Sequence, residues 1–216
     1  MEKDKKLASQ IWLALGLIIL LILIDQVIKI EVKTNMYLRE SIYITDWFQI
    51  NFIENNGMAY GMTFINKVVL TLFRVIVVSI IGFYIWQELK TKVRKGYIIC
   101  LSMIFAGAIG NIFDCLFYGL FFSESTPFSV ARFVSLGEGY APFLQGKVVD
   151  MFYFPIIDTN LPEWLPIWGG EHFIFFSPIF NFADSCISVG VVILLLFYRK
   201  ELSQISFFKK KDADKE

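Results

Sequence analysis

The chain has 216 residues, 56% of them hydrophobic, with 20 basic and 20 acidic side chains. That apolar share exceeds an ordinary soluble domain's and points to a polytopic membrane protein, while zero net charge gives no field that would gather nucleic acid. One histidine and three cysteines without ligand spacing exclude a two-histidine zinc protease and argue against a disulfide framework.

Taken in order, the chain opens on a basic head with Lys3, Lys5 and Lys6, followed by an apolar run. No small-residue cleavage site comes after it, so a retained first membrane helix is expected over about 11–30. Asp25 and Lys29 are four apart with the acid first, the favourable order for a pair on one helical face. Residues 31–66 are polar enough to lie outside the bilayer. Within them, Ser41–Ile44 and Phe48–Phe52 alternate with period two and predict a small β-hairpin or sheet with an apolar face on the membrane. Asn55-Asn56-Gly57 and Gly61 then suit a tight turn that brings backbone close to something.

The second helix is expected over about 68–87 and carries Arg74, which must snorkel, pair, or line a polar cavity. The third, about 97–118, holds Gly107 and Gly110, whose small size permits close helix contact. It also places Asn111 and Asp114 three apart on one face that should turn inward. Residues 119–176 contain too many prolines and glycines for a membrane helix and too many aromatics for a linker, so an ordered loop on the membrane surface is expected. Inside it, Asp150 stands in the apolar run Val148–Phe154. The fourth helix is expected over about 177–198, with Asn181 and Asp184 near its mouth. The fold class is therefore an all-α polytopic membrane domain spanning 1–216, with four transmembrane helices and a small extracytoplasmic hairpin.

Lys and Arg concentrate in the head, the 90–95 loop and the tail, so the positive-inside rule puts both termini in the cytoplasm. Asp25, Asn55, Asn111, Asp114, Asp150, Asn181 and Asp184 then gather near the outer end of the bundle. Asn181 and Asp184 also read as a plain helix cap with its acid at N3. Carboxylates and amides without a usable histidine suggest two-carboxylate hydrolysis, in which one acid of a close pair keeps its proton and the other activates water. A serine nucleophile at Ser177 or Ser185 would need Lys29 or Lys147 as base. A proton pathway would want acids spread through the membrane depth, and a non-catalytic lipid-binding protein would only pair them with Lys29, Arg74 and Lys147.

The chain resembles the lipoprotein signal peptidase (signal peptidase II) family along nearly its whole length. The resemblance rests on Asp25-x-x-x-Lys29, Asn55-x-Gly57-x-Ala59-Tyr60, Gly110-Asn111-x-x-Asp114, Val148-Val149-Asp150 and Phe180-Asn181-x-Ala183-Asp184-Ser185, in the family's order. It implies an aspartyl endopeptidase of the bacterial inner membrane that removes signal peptides from diacylglyceryl-modified prolipoproteins, cleaving before the lipidated cysteine. It further implies catalytic roles for Asp150 and Asp184, and supporting roles for Asn55, Gly57, Asn111, Asp114, Asn181 and Asp25, to which Lys29 and Arg74 are added as candidates. No metal or organic cofactor is implied. The expected partners are the lipidated substrate and membrane lipids, and a monomer is expected. The chain departs from the family where Cys115 replaces a common Arg, where Tyr60 replaces Phe, and in about thirty residues between Asp150 and Asn181 that lengthen the outer loop.

Overall fold

A computed structural model describes residues 2–56, 66–91 and 93–203 of the chain. Helix α1 runs Glu2–Asn35, α2 Lys67–Leu89 and α3 Lys95–Phe121, each long and apolar enough to cross a membrane, whereas α4, Phe182–Phe197, is a shorter apolar helix. A short helix α5, Arg199–Ser203, comes last. The strands are β1 Ser41–Thr45, β2 Phe48–Asn55, β3 Val148–Tyr153, β4 Ile157–Asn160, β5 His172–Phe175 and β6 Ile179–Phe180.

Several bounds differ from expectation for local reasons. Helix α1 continues to Asn35 because polar Lys29 and Lys33 find buried partners on its inner face and do not force it to end. The fourth helix starts at Phe182, five residues later than expected, and Ser177–Asn181 runs as extended chain and strand. Pro178 biases Ser177 away from helix, and Asn181 caps the N-terminus of α4. Helix α3 outruns Tyr118 through a wide π-helical turn, Asp114–Tyr118, to Phe121. At that turn the Cys115 carbonyl accepts from Gly146 N at 2.9 Å, so the loop docks against the distorted turn.

The architecture centres on α3, which packs against α4, α1 and α2. Gly107 and Gly110 let the partners approach: a Cβ on Gly107 would strike the Ala183 carbonyl, and one on Gly110 would lie 2.6 Å from Asp25 Oδ2. One apolar core gathers Tyr84, Ile85, Tyr97, Ile98, Leu101 and Leu194. A second, at the opposite end, joins α1 and α3 to the sheet through Met36, Phe52, Tyr118, Phe122, Val149 and Met151. Outward residues such as Leu20, Leu23, Phe73 and Ile80 are exposed, as expected where the solvent is lipid.

The expected hairpin, β1 with β2, is the edge of a four-stranded antiparallel sheet ordered β1-β2-β3-β6. The residues expected to form an ordered loop on the membrane surface thus supply an inner strand. Register sets Asn55 opposite Val148 and Ile53 opposite Asp150, and Phe152 opposite Phe180. Strands β4 and β5 form a separate two-stranded hairpin between β3 and β6.

Candidate active site

Strands β2 and β3, helix α3 and the N-terminus of α4 converge on a polar cluster at the junction of helices and sheet. Strand β3 carries Asp150, which is 2% exposed. Its neighbours along the strand, Val149 and Met151, are fully buried on the opposite face, so β3 is an inner strand with both faces covered. Strand β2 ends on Asn55, a diagonal cross-strand neighbour, whose Nδ2 donates to Asp150 Oδ2 at 3.2 Å. Helix α4 is capped by Asn181, whose Nδ2 donates to Asp150 Oδ1 at 2.6 Å and to Asn111 Oδ1 at 3.0 Å.

Asp184 sits one turn into α4. Its backbone N–H donates to Asn181 Oδ1 at 2.9 Å, and its Oδ2 accepts from Asn181 N at 3.3 Å, so the two residues do form a capping box. The capping reading and the site reading are therefore compatible. Asp184 Oδ1 also accepts from Asn111 Nδ2 at 2.7 Å. Asn181 thereby touches both carboxyls, Asp150 through its side chain and Asp184 through its backbone N–H. Asn111 touches Asp184, Asn181 and, through Oδ1, the Lys29 ammonium at 2.9 Å. Burial, followed by the nearby charge of Asp184, pushes Asp150 up from the usual carboxylate range to about 7, against the lowering effect of the Asn55 and Asn181 amides.

Beneath this cluster lies a second layer. Lys29 Nζ is fully buried between Asp25 Oδ2 at 2.9 Å and Asp114 Oδ2 at 2.8 Å. Asp25 Oδ1 accepts from Ala183 N at 2.9 Å, which ties α1 to the first turn of α4. Asp114 Oδ2 accepts from Val149 N at 3.4 Å, next to Asp150. Asp25, Lys29 and Asp114 therefore brace the backbone on both sides of the cluster and touch neither Asp150 nor Asp184 through a hydrogen bond. Arg74 Nη1 lies 3.5 Å from Cys115 Sγ, next along the chain to Asp114. Gly57, Ala59 and Tyr60 lie outside the described residues.

Gln26 and Lys33 were not singled out from sequence. Gln26 donates to Asp25, to the Gly110 carbonyl at 3.3 Å and to Asp114 at 2.9 Å, and accepts from Tyr118 OH at 3.0 Å. Its signal was a second polar residue beside Asp25 in an apolar helix. Lys33 is fully buried, 2.5 Å from Glu54 Oε1 and 3.0 Å from Ser125 Oγ, while Lys147 Nζ lies 3.0 Å from Glu54 Oε2. The four-residue spacing of Asp25, Lys29 and Lys33 makes a stripe along α1 and was the available clue.

A family model described as signal peptidase (SPase) II matches residues 17–199 of the chain. A lipoprotein signal peptidase of Porphyromonas gingivalis is 49% identical over 200 residues, covering 90% of this chain and 86% of the relative. Another, from Amoebophilus asiaticus, is 32% identical over 205 residues, covering 92% and 82%. A bacterial membrane enzyme solved by the in meso method at 2.3 Å resolution shares the fold, with TM-score 0.57 at 20% identity over 92% of this chain and 94% of that one.

Proposed function

The chain belongs to the signal peptidase II family of membrane aspartyl proteases and so removes signal peptides from prolipoproteins, and on that footing we propose that Asp150 and Asp184 form its catalytic dyad. The observation that carries the proposal is Asn181, one residue bonded to both carboxyls. It holds them around a common point, and their described neighbours are amides, not ammonium groups.

The division of labour follows from the surroundings. Asp184 is the N3 residue of α4, where backbone N–H groups and the helix dipole favour negative charge, and it accepts two hydrogen bonds. It takes a proton from the attacking water as general base. Asp150, lifted to about 7 by burial and by its partner's charge, is protonated in a large share of molecules near neutrality and can act as the general acid. Its hydroxyl polarises the scissile carbonyl and later protonates the leaving amine. Asn55, Asn111 and Asn181 orient the pair, and Asp25, Lys29 and Asp114 hold the strand and helix that carry it. Gly57 belongs with the site by its place in the motif. Arg74 acts beside the wide turn of α3 through Cys115.

The remaining features of the reading rest on hydropathy and family. The chain is a monomer of the bacterial inner membrane with α1 to α4 as four spans, both termini cytoplasmic, and the sheet on the outer side. The bond cleaved precedes a cysteine bearing a diacylglyceryl group, and the amino terminus released belongs to that cysteine. The test is cleavage of a lipidated prolipoprotein by wild type, Asp150→Asn and Asp184→Asn in vesicles. Turnover is expected to vanish in both variants with the fold retained, and near-wild-type cleavage by either one sinks the dyad.

A further inference from the structure

The segment between Asp150 and Asn181 contains an element that the catalytic reading does not use. Strands β4 and β5 pair Ile157 with Phe175 and Thr159 with Phe173 on one face, and Asp158 with Ile174 and Asn160 with His172 on the other. The first face is apolar, and Ile157, Phe173 and Phe175 are all exposed on it. The second is largely polar, with His172 Nε2 2.7 Å from Asp158 Oδ1. The connecting tip presents Trp164, Ile167 and Trp168 at 79%, 86% and 57% exposure. Ile167 is a β-branched residue held at φ 77°, a strained conformation, and its apolar side chain is left almost wholly uncovered by the protein. A lone two-stranded hairpin is marginal in water and needs a surface to lie on.

Depth fixes which surface is available. The end of α4 is level with the start of α3, because Arg94 donates to the Phe197 carbonyl at 2.7 Å and pairs with Glu201. Charged Arg94, Lys95, Arg199 and Lys200 mark that level as one border of the apolar slab. The 16 residues of α4 rise only about 24 Å from it, against an apolar slab about 30 Å thick. The β6–α4 junction is therefore a few ångströms inside the opposite border, and the hairpin leaves the protein at the boundary between acyl chains and headgroups. Tryptophan and other aromatic residues favour that boundary. The rest of the outer segment is different. Residues 122–147 are held to the bundle by bonds such as Ala141 N to Gly119 O and Thr71 Oγ1 to Leu144 O, both at 3.0 Å.

We propose that the β4–β5 hairpin is a lipid-binding element that lays its apolar face and tip into the outer-leaflet interface and so anchors β3, which carries Asp150, and β6, which leads into Asn181. Its partner is the phospholipid surface itself. With Asp158, Glu163 and Glu171 against His172, the hairpin holds by apolar contact and has no excess of positive charge for anionic headgroups. The anchoring acts through ring contacts: Phe154 stacks on Phe180 at 5.6 Å and Phe176 meets its edge at 5.9 Å, one residue before Asn181.

The experiment is a depth measurement on the full chain in phosphatidylcholine vesicles. Because Cys100, Cys115 and Cys186 are buried, a nitroxide can be placed on Ile167→Cys, with Glu171→Cys as the aqueous reference and unsubstituted protein as the labelling blank. The ratio of collisions with oxygen to collisions with a water-soluble nickel chelate should be several-fold higher at 167 than at 171. Should the labelled tip perturb folding, brominated phosphatidylcholine should quench wild-type fluorescence more than that of Trp164→Phe/Trp168→Phe. Equal collision ratios at the two positions, or dipolar broadening at 167 from a second copy, would overturn the proposal. No substrate is needed, so this outcome is separate from that of the cleavage test.

Discussion

The protein buries two carboxylate centres on the same sheet, and they are solved in opposite ways. At Glu54 each carboxylate oxygen faces an ammonium, Lys33 on one side and Lys147 on the other, with Ser125 Oγ donating at 2.9 Å. Although burial works to raise it, Lys33 and then Lys147 hold Glu54 below the ordinary carboxylate range. At Asp150, one strand over, burial is met by two neutral amides and by a second carboxylate, so the acid rises to about 7. The contrast shows what makes a buried acid reactive. A charge neutralised on both sides has no proton to give or take near pH 7, whereas one hydrogen-bonded by amides beside a second carboxylate remains poised to do so. The Asp25–Lys29–Asp114 layer stands between them, two acids sharing one ammonium.

The two centres part most sharply when acid–base capacity is removed without removing volume. Asp150→Asn and Asp184→Asn should each cut cleavage of a lipidated substrate by about 1,000-fold or more while circular dichroism stays near wild type. Glu54→Gln should reverse the pattern. It leaves Lys33 buried and under-compensated, costing about 3–5 kcal/mol in unfolding experiments, with much smaller loss of turnover per folded molecule. Lys29→Met, which leaves Asp25 and Asp114 facing each other, should destabilise by a similar amount, again about 3–5 kcal/mol. Asp114→Asn is the milder test of that layer and should leave partial activity.

Titration separates the two centres by sign. Asp150 has a raised folded-state pKa, so its contribution to stability is complete below about 3.8 and is lost as pH rises through about 7. Glu54 has a lowered one, so its contribution is present above about 4.5 and is lost as pH falls through its lower folded value. Thermal melts between about pH 5 and about pH 8 should therefore drift downward in wild type and flatten in Asp150→Asn. Activity should fall on the alkaline side of about pH 7 as Asp150 loses its proton. The smallest expected effect is Asn55→Ala, which removes one 3.2 Å amide bond to Asp150 and should cost about tenfold in kcat.

Much of the site was legible because membrane helices make polar residues conspicuous. Asp25, Lys29, Asn111, Asp114, Asn181 and Asp184 stand out against apolar runs, and hydropathy alone makes each one costly unless partnered. Gln26 was overlooked because an uncharged amide beside an acid adds little to that signal. Lys33 was overlooked because it follows Glu31 at the expected end of the helix, where a lysine ordinarily meets water.

Local composition and spacing were enough to set the class of protein, its apolar segments, and the residue types able to carry two-carboxylate chemistry. It took the folded chain to make Val148–Tyr153 an inner strand, to bridge Asp150 and Asp184 through Asn181, and to silence Glu54 between Lys33 and Lys147. A short run such as Val-Val-Asp-Met-Phe-Tyr is equally apolar as strand or loop, and its partners, Ile53 and Phe180, are 97 and 28 residues away from Asp150 and Phe152. Proton affinity is likewise a property of what surrounds a carboxyl, and for Asp150 those surroundings arrive from β2 and α4 as well as its own strand.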